Sequence, residues 1–176
     1  MTKDVVDAIK DRRSIRRFTS DNVPNSTVSR LLEAAIMAPS AGNCQPWFIY
    51  VVKNQKVRQE LAKAAFNQGF LVEAPVNIVV CAEPKRSFSR YGERGASLYC
   101  LQDTAALVQS LLLMAEGLGL STCWVGAFDE QAVRQVLEIP EGRRPVAIVP
   151  VGYSNLANPP EPPARRALKD VTQMVD

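Results

Sequence analysis

The chain has 176 residues, which is the length of one domain with a sizeable core. Hydrophobic residues make up 47% and charged residues 22%, the balance of a soluble globular protein. A net charge of +3 is too small to indicate nucleic-acid binding through a broad positive surface. The basic residues cluster instead at 12–17, 143–144 and 165–166, which favours a small anionic ligand.

The chain contains no histidine. This excludes a Ser-His-Asp triad and removes the commonest zinc ligand, so no metal site is predicted and an enzyme would rely on a cofactor. Of the four cysteines, Cys81, Cys100 and Cys123 lie in apolar surroundings, which predicts buried free thiols. The N-terminus shows no apolar signal segment, so we expect a cytoplasmic protein with no membrane association.

Hydrophobic periodicity predicts alternating helices and strands. The predicted helices are 3–12, 26–38, 55–66, 97–118 and 130–137, and the predicted strands are 47–52, 76–82, 122–125 and 144–151. Asp4, Ser26 and Asp129 are candidate N-cap or first-turn residues. Several strands are continuous apolar runs, as expected when helices cover both faces of a sheet. Four strands with helices on either side predict a single layered α/β domain over residues 1–176.

The predicted helix 97–118 is apolar on nearly all sides. Asp103, Gln109 and Glu116 bound or interrupt its apolar run, so we interpret it as a core helix rather than a membrane span. A second subunit could supply part of its cover, or the helix could lie at the centre of a monomer. The sequence leaves both interpretations open.

The C-terminal segment 154–176 differs in composition from the rest of the chain. Four prolines, Pro159, Pro160, Pro162 and Pro163, favour an extended backbone. Leu168, Val171 and Met174 then space as a short apolar face. The segment is either a disordered end or an arm that docks on a partner subunit.

The segment from Pro39 to Trp47 is an unusual connector between the second helix and the first strand. Its sequence is Pro-Ser-Ala-Gly-Asn-Cys-Gln-Pro-Trp, with a proline near each end and polar side chains at Ser40, Asn43 and Gln45. A stiff loop of this kind suits a flat polar ligand. Its glycine permits a positive φ, which the turn would use.

Three other positions are candidates for ligand contacts. Arg12, Arg13, Ser14 and Arg16 offer guanidinium and hydroxyl donors that suit a phosphate, although an arginine run is more often a solvated surface. Arg12 and Arg16 share a face if the first helix continues. Gly126 ends a strand where its backbone could approach a ligand, and Asn67 is either a helix C-terminal residue or a heterocycle-reading amide. The sequence lacks a P-loop and a strand-linked GxGxxG motif.

Five blocks in order resemble the nitroreductase family. They are Arg12–Phe18, Pro39–Trp47, the context of Asn67, Gly117–Gly126 and the arginine-bearing tail, and together they extend from near residue 4 to about residue 170. The resemblance implies an α+β fold with a central, mainly antiparallel sheet flanked by helices. It also implies a homodimer with FMN at the interface and an exchanged C-terminal arm over 154–176.

The resemblance also implies roles for individual residues. Arg12 and Ser14, with Arg13 nearby, would bind the FMN phosphate, and Arg165 or Arg166 would complete that site. Arg16 would lie near flavin N1 and O2, Asn67 at the pyrimidine edge, and the backbone of Val125 and Gly126 near N5. Pro39, Ser40, Ala41, Asn43 and Gln45 would approach the flavin of the other subunit.

The implied reaction is ping-pong hydride transfer from NAD(P)H through flavin N5 to a flat acceptor such as a nitroaromatic or a quinone. Two features depart from the family: segment 85–95 is short, and 70–74 lacks a basic residue that some members have. Alternatives remain open, namely dehalogenation, flavin fragmentation, or a non-catalytic flavin-binding dimer. Tyr91, Arg94, Tyr99 and Phe128 are candidate substrate-slot residues, although packing explains each equally well.

Overall fold

A four-stranded antiparallel sheet forms the centre of the computed structural model, which describes residues 3–155 and 160–175. The strands are β1 (Trp47–Val52), β2 (Val76–Ala82), β3 (Ser121–Thr122) and β4 (Arg144–Gly152). They lie in the order β1-β2-β4-β3, and each neighbouring pair is antiparallel. The predicted α+β fold with a mainly antiparallel sheet is confirmed.

Helices cover both faces of this sheet. They are α1 (Val5–Asp11), α2 (Asn25–Ala35), α3 (Gln55–Ala64), α4 (Phe70–Glu73), α5 (Pro84–Arg94), α6 (Cys100–Gly117) and α7 (Glu130–Val136). Short 3₁₀ turns lie at Ala41–Asn43 and Leu168–Asp170, and a π-helical turn at Gly95–Tyr99 joins α5 to α6. The side chains of Asp4 and Asp129 cap α1 and α7, as predicted, while Ser26 lies in the first turn of α2.

Two hydrophobic cores form because successive residues of a strand point to opposite faces. On one face, Ile78 packs in a cluster with Leu111 of α6 and Leu31 of α2. On the other face, Val79 packs in a cluster with Leu61 of α3 and residues of α7. All of β2 is buried, so its continuous apolar run has the predicted explanation.

The sequence misplaced several element boundaries. Helix α1 ends at Asp11 and α3 ends at Ala64, both earlier than predicted. The predicted strand 122–125 is only Ser121–Thr122, with Val125 joined to Ile148 of β4 by an isolated bridge. The predicted single helix 97–118 is a π-turn followed by α6.

Helix α5 was not predicted from the sequence. It spans Pro84–Arg94 in the segment that we interpreted only as a short connection. Its hydrophobic signal is weak because few of its side chains are buried, and Gly92, at φ 58° and ψ −147°, interrupts its helical geometry. A continuous helical stretch, Pro84–Gly117, is long and apolar enough to cross a membrane by length and composition. Its apolar part, α6, packs against the sheet in the core, and core helices pass the same test.

Apolar side chains also remain exposed on two segments of the chain. Val5, Val6 and Ile9 of α1 are each more than half exposed. The described part of the C-terminal arm, 160–175, is exposed throughout and includes Leu168 and Met174. Pro159 of the predicted arm lies outside the described residues. Exposed apolar patches of this kind often mark surfaces that another chain covers.

The cysteines should differ in reactivity because three of them are buried and Cys44 is half-buried. Burial raises the pKa of the Cys81 thiol to about 12, and it also raises the pKa of Cys100 and Cys123. Only the thiolate reacts with Ellman's reagent. We expect Cys44 alone to react rapidly in the native protein at neutral pH, and all four thiols after denaturation in guanidinium. Rapid reaction of more than one thiol in the native protein would contradict this packing.

Candidate functional site

The arginine-rich segment after α1 runs beside the edge strand β3. The backbone N–H of Ile15 donates to the carbonyl of Thr122 at 2.9 Å, and Ser14 forms a parallel bridge with Thr122. Because α1 ends at Asp11, the helix does not continue, so the condition under which Arg12 and Arg16 would share a helical face is not met. Instead, the non-helical backbone carries the arginines along the edge of the sheet.

Arg12, Arg13, Ser14 and Arg16 line one cavity together with Arg165 of the C-terminal arm. The cavity has a volume of about 440 Å³, and its other lining residues are Pro160, Glu161 and Pro163. Guanidinium and hydroxyl groups are the donors that a phosphate requires, and one acidic residue faces four arginines. The chemistry of this donor set fits a phosphate group.

Two of the candidate arginines have structural partners within the chain. The Nη1 of Arg13 donates to the carbonyl of Lys10 at 2.6 Å and to that of Arg12 at 3.1 Å, so it binds the C-terminal end of α1. The Nη2 of Arg166 donates to the carbonyl of Asp170 at 2.5 Å, within the arm. Of the two tail arginines, Arg165 is therefore the one that faces the cavity.

The predicted basic pair Arg143-Arg144 is neutralised by ion pairs. The Nε of Arg143 lies 2.8 Å from the Oε1 of Glu83, and the Nη2 of Arg144 lies 2.7 Å from the Oε1 of Glu130. These two arginines are consequently poor candidates for an anion site, unlike those beside β3.

Val125 and Gly126 lie on the same edge of the sheet as the arginine segment. Val125 exchanges backbone hydrogen bonds of 2.9 and 3.0 Å with Ile148 of β4. Gly126 follows directly and lines a second cavity, of about 300 Å³, together with Trp124 and Phe128. A Cβ on Gly126 would meet no atom within 4 Å, so its backbone faces open space.

Asn67 lies close to this glycine. Both Phe66 and Asn67 adopt positive φ angles, 56° and 61°, in the turn after α3. The side-chain amide of Gln68 donates to the carbonyl of Ala127 at 2.9 Å, which ties the turn to the segment after Gly126. Asn67 itself is exposed, so its amide is accessible from outside the chain.

The arginines produce a positive field at this edge, and the field affects the pKa of the Cys123 thiol. Burial raises the pKa of the Cys123 thiol, while the charges of Arg16 and Arg12 and a hydrogen bond from Ser14 oppose part of that rise. Each of these effects requires the arginines and the hydroxyl to lie near the start of the Cys123–Gly126 segment. A negatively charged ligand at the same edge would be stabilised in the same way.

The connector Pro39–Trp47 contains three left-handed residues. Gly42, Asn43 and Gln45 have φ angles of 54°, 54° and 48°. Inside the loop, the backbone N–H of Gln45 donates to the hydroxyl of Ser40 at 2.9 Å. Within the described part of the chain, the exposed side-chain amides of Asn43 and Gln45 form no hydrogen bond. The loop therefore holds these two amides toward the outside.

Neighbouring helices fix this loop from behind. The Oδ1 of Asp103 in α6 accepts a hydrogen bond from the backbone N–H of Ala41 at 3.0 Å. In α5, Arg90 donates to the carbonyl of Gly42 at 3.0 Å, and Arg86 donates to that of Cys44 at 3.1 Å. Pro39, at the start of the loop, is exposed.

The candidate residues thus form two separate groups at opposite edges of the sheet. The first group lies beside β3, and it contains Arg12, Ser14, Arg16, Asn67, Val125, Gly126 and Arg165. The second group is the loop before β1, and it contains Pro39, Ser40, Ala41, Asn43 and Gln45. Because β2 and β4 separate the two edges, one chain does not bring the groups together.

Sequence reasoning missed Asp103 and Arg90 as supports of the loop. Asp103 is only 7% exposed and is one of few buried charged residues. Its position inside an apolar helix was a usable signal, because such a residue needs a hydrogen-bond donor. Arg90 gave no comparable signal, since its helix was not predicted.

Replacing Asp103 by Asn should change how stability depends on pH. Burial raises the pKa of Asp103 above its ordinary 3.8, so the folded chain holds this proton more tightly than the unfolded chain. This tighter proton binding contributes to the free energy of unfolding. The contribution is fully present below pH 3.8 and is lost as pH rises through the folded-state pKa of Asp103. Urea unfolding from about pH 3.5 to 7 should therefore show wild type losing stability relative to Asp103→Asn.

Asp103→Ala provides the contrast, because it removes the acceptor of the Ala41 N–H. Compared with Asp103→Asn, which keeps an acceptor and does not titrate, we expect it to lower the free energy of unfolding by about 1–3 kcal/mol at any pH. A wild type and an Asn variant that differ by a constant amount across the pH range would overturn the titration argument.

Comparisons with known proteins agree with this fold. The family model described as "Nitroreductase family" matches residues 9–70 and 65–153. The "NADH dehydrogenase" of Thermus thermophilus is 32% identical over 177 residues, covering 85% of this chain and 86% of the relative. A 5,6-dimethylbenzimidazole synthase of Rhodospirillum rubrum is 28% identical over 180 residues, covering 89% and 85%.

Solved structures extend the similarity to the whole fold. A nitroreductase family protein from Streptococcus pneumoniae superimposes with a TM-score of 0.88 at 26% identity, covering 98% of this chain and 100% of that one. The family model covers most of the chain, and the Thermus relative is more than 30% identical over most of both lengths. The chain therefore belongs to the nitroreductase family of oxidoreductases.

Proposed function

We propose that the protein is a homodimeric, FMN-dependent oxidoreductase that uses NAD(P)H to reduce flat acceptors such as nitroaromatics or quinones. The observation that carries the proposal is the cavity lined by Arg12, Ser14, Arg16 and Arg165, at the same edge of the sheet as Val125 and Gly126. In this proposal residues 1–176 form one nitroreductase-like domain with a C-terminal arm over 154–176, located in the cytoplasm.

The phosphate end of the site would be held by Arg12, Ser14 and Arg165. Paired guanidinium donors bind phosphate oxygens bidentately, and the hydroxyl of Ser14 adds a further donor. Arg13 would contribute mainly by holding the end of α1, given its two backbone contacts. Arg166, which donates to Asp170, is the less suitable tail arginine.

At the other end of the site, the flavin ring would be contacted by Arg16, Asn67 and the backbone at Val125–Gly126. When bound, FMN supplies the redox chemistry, accepting a hydride from NAD(P)H at N5 and passing two electrons to the acceptor. The acceptor takes up a proton from solvent with the hydride, which balances the reaction. Arg16 would stabilise negative charge at N1 and O2 of the ring, where a fixed cation needs no reorganisation.

The second group of residues would come from another copy of the chain. Ser40, Asn43 and Gln45 lie at the opposite edge of the sheet from Arg12 and Arg16, so one chain holds only half of the site. Exposed apolar side chains on α1 and on the arm provide a surface for dimerisation with exchange of the arms. Pro39 and Ala41 would shape the loop that crosses to the partner.

A second candidate function keeps the same site but changes the reaction. The similarity to a 5,6-dimethylbenzimidazole synthase favours considering flavin fragmentation. Product analysis under air and under nitrogen separates the two functions: fragmentation consumes the flavin itself, whereas acceptor reduction returns it unchanged.

The phosphate site can be tested by spectroscopy and mutation. We expect purified protein to show oxidised flavin absorbance and to oxidise NAD(P)H faster when a quinone is added. Arg12→Ala and Arg165→Ala should each weaken FMN binding about 10- to 100-fold, since each removes charge-assisted hydrogen bonds. Arg17→Ala is the matched control, because Arg17 is exposed and does not line the cavity. A purified protein that is colourless and stays inactive after FMN is added would contradict the proposal.

Subunit complementation tests the division of the site between two chains. One variant carries Arg12→Glu and Arg16→Glu, and the other carries Asn43→Ala and Gln45→Ala. Each homodimer should be nearly inactive. After unfolding and refolding together, half of the dimers are mixed, and each mixed dimer has one intact site, so about a quarter of wild-type activity should return. If each site were built from one chain, mixing would restore nothing.

A further inference from the structure

A further group of side chains lies beside the Pro39–Trp47 loop, and three of its members, Tyr91, Arg94 and Tyr99, are candidate substrate-slot residues to which the proposed function gives no role. Arg90, Tyr91, Arg94 and Tyr99 lie together on the exposed side of α5 and the following π-turn, and we call them the aromatic–arginine patch. Arg90 contacts the loop directly, through the carbonyl of Gly42. A Cβ on Gly42 would clash with the Tyr91 hydroxyl and the Arg90 guanidinium, so patch and loop are in close contact.

The two tyrosine rings meet because the helix is irregular. In a regular α-helix, residues eight apart are separated by roughly 12 Å along the axis. The centroids of Tyr91 and Tyr99 are only 5.3 Å apart, packed edge to face. Between them lie Gly92, with φ 58°, and the π-turn Gly95–Tyr99. Such π-turns are frequent at functional sites.

A guanidinium group accompanies each ring. The Cζ of Arg90 lies 5.6 Å from the centroid of Tyr91, and that of Arg94 lies 5.4 Å from the centroid of Tyr99. The Nε of Arg94 also donates to the Tyr99 hydroxyl at 3.0 Å. Among residues 3–155 and 160–175, neither Arg90 nor Arg94 forms a salt bridge. Both guanidinium groups are exposed and retain donors for an anion.

This helix is strongly basic, as is the Arg12–Arg17 segment at the opposite edge of the sheet. Its sequence, PKRSFSRYGER, contains four basic residues and one acidic residue, Glu93, which gives a net charge of +3. The whole chain also has a net charge of +3, so the rest of the molecule is neutral overall. An anion approaching the loop would therefore be attracted to this helix in particular.

We propose that the aromatic–arginine patch selects acceptors that carry a carboxylate on an aromatic ring. This inference rests on the proposed function, in which the neighbouring loop lines the flavin site of the partner subunit. The tyrosine rings offer a surface for the acceptor ring, and Arg94, which does not contact the loop, binds its carboxylate.

The experiment compares two acceptors of the same shape, para-nitrobenzoate and para-nitrobenzamide, which differ in charge. Wild type should reduce the anion with the higher kcat/KM. Arg94→Gln, which leaves the contact of Arg90 with the loop intact, should lower kcat/KM for para-nitrobenzoate about 3- to 10-fold and leave para-nitrobenzamide within about twofold. Lys85→Gln is the matched control, since it removes the same charge from an exposed site on the same helix. The control should reduce both acceptors as wild type does.

A binding measurement separates this inference from the proposed function. Benzoate and benzamide are not reduced, and their dissociation constants with the FMN-loaded protein are measured by calorimetry. We expect benzoate to bind more tightly than benzamide and Arg94→Gln to lose that difference. If the protein binds FMN and reduces both acceptors with the same kcat/KM, and if every variant affects the two acceptors equally, the inference is overturned. The proposed function would then remain intact. An equal loss in Lys85→Gln, or a change confined to the KM of NADPH, also overturns it.

Discussion

The pairing of β2 with β4 is the constraint on which the rest of the molecule depends. Both strands are almost wholly buried, so helices must cover each face of the sheet, and ligand-binding segments are left to its edges. One edge receives the chain after α1 and the segment after β3, and the other receives the loop before β1. The sheet therefore determines which polar side chains can meet within one chain.

Much of this arrangement could be predicted from the sequence, because apolar periodicity reports burial. The strands β1, β2 and β4 were located within a residue, and the three buried cysteines were recognised from their neighbours. Helix α5 was missed because it is largely exposed and irregular at Gly92, so it has no apolar stripe to detect. The end of α1 was misplaced because Ser14 and Ile15 pair with Thr122, a contact about 108 residues away along the chain that no local pattern encodes.

The candidate site was only partly accessible to sequence reasoning for a similar reason. The convergence of Arg12 and Ser14 with Arg165 follows the family resemblance, but the choice of Arg165 over Arg166 depends on a local hydrogen bond to Asp170. The supports of the loop are still harder to infer. Asp103, inside an apolar helix, signals that it needs a hydrogen-bond donor but not that the donor is the backbone of Ala41, and Arg90, which donates to the carbonyl of Gly42, gives no signal.

The separation of the two polar edges has a consequence for the behaviour of the protein on dilution. In the proposed dimer the binding site is assembled from two chains and would exist only while they are associated, so cofactor release and subunit dissociation would become one thermodynamically linked process. Each bound ligand would then strengthen the association, and each lost partner would expose the apolar faces of α1 and of the arm. Cofactor supply in the cell would thereby regulate the lifetime of the folded assembly as well as its activity.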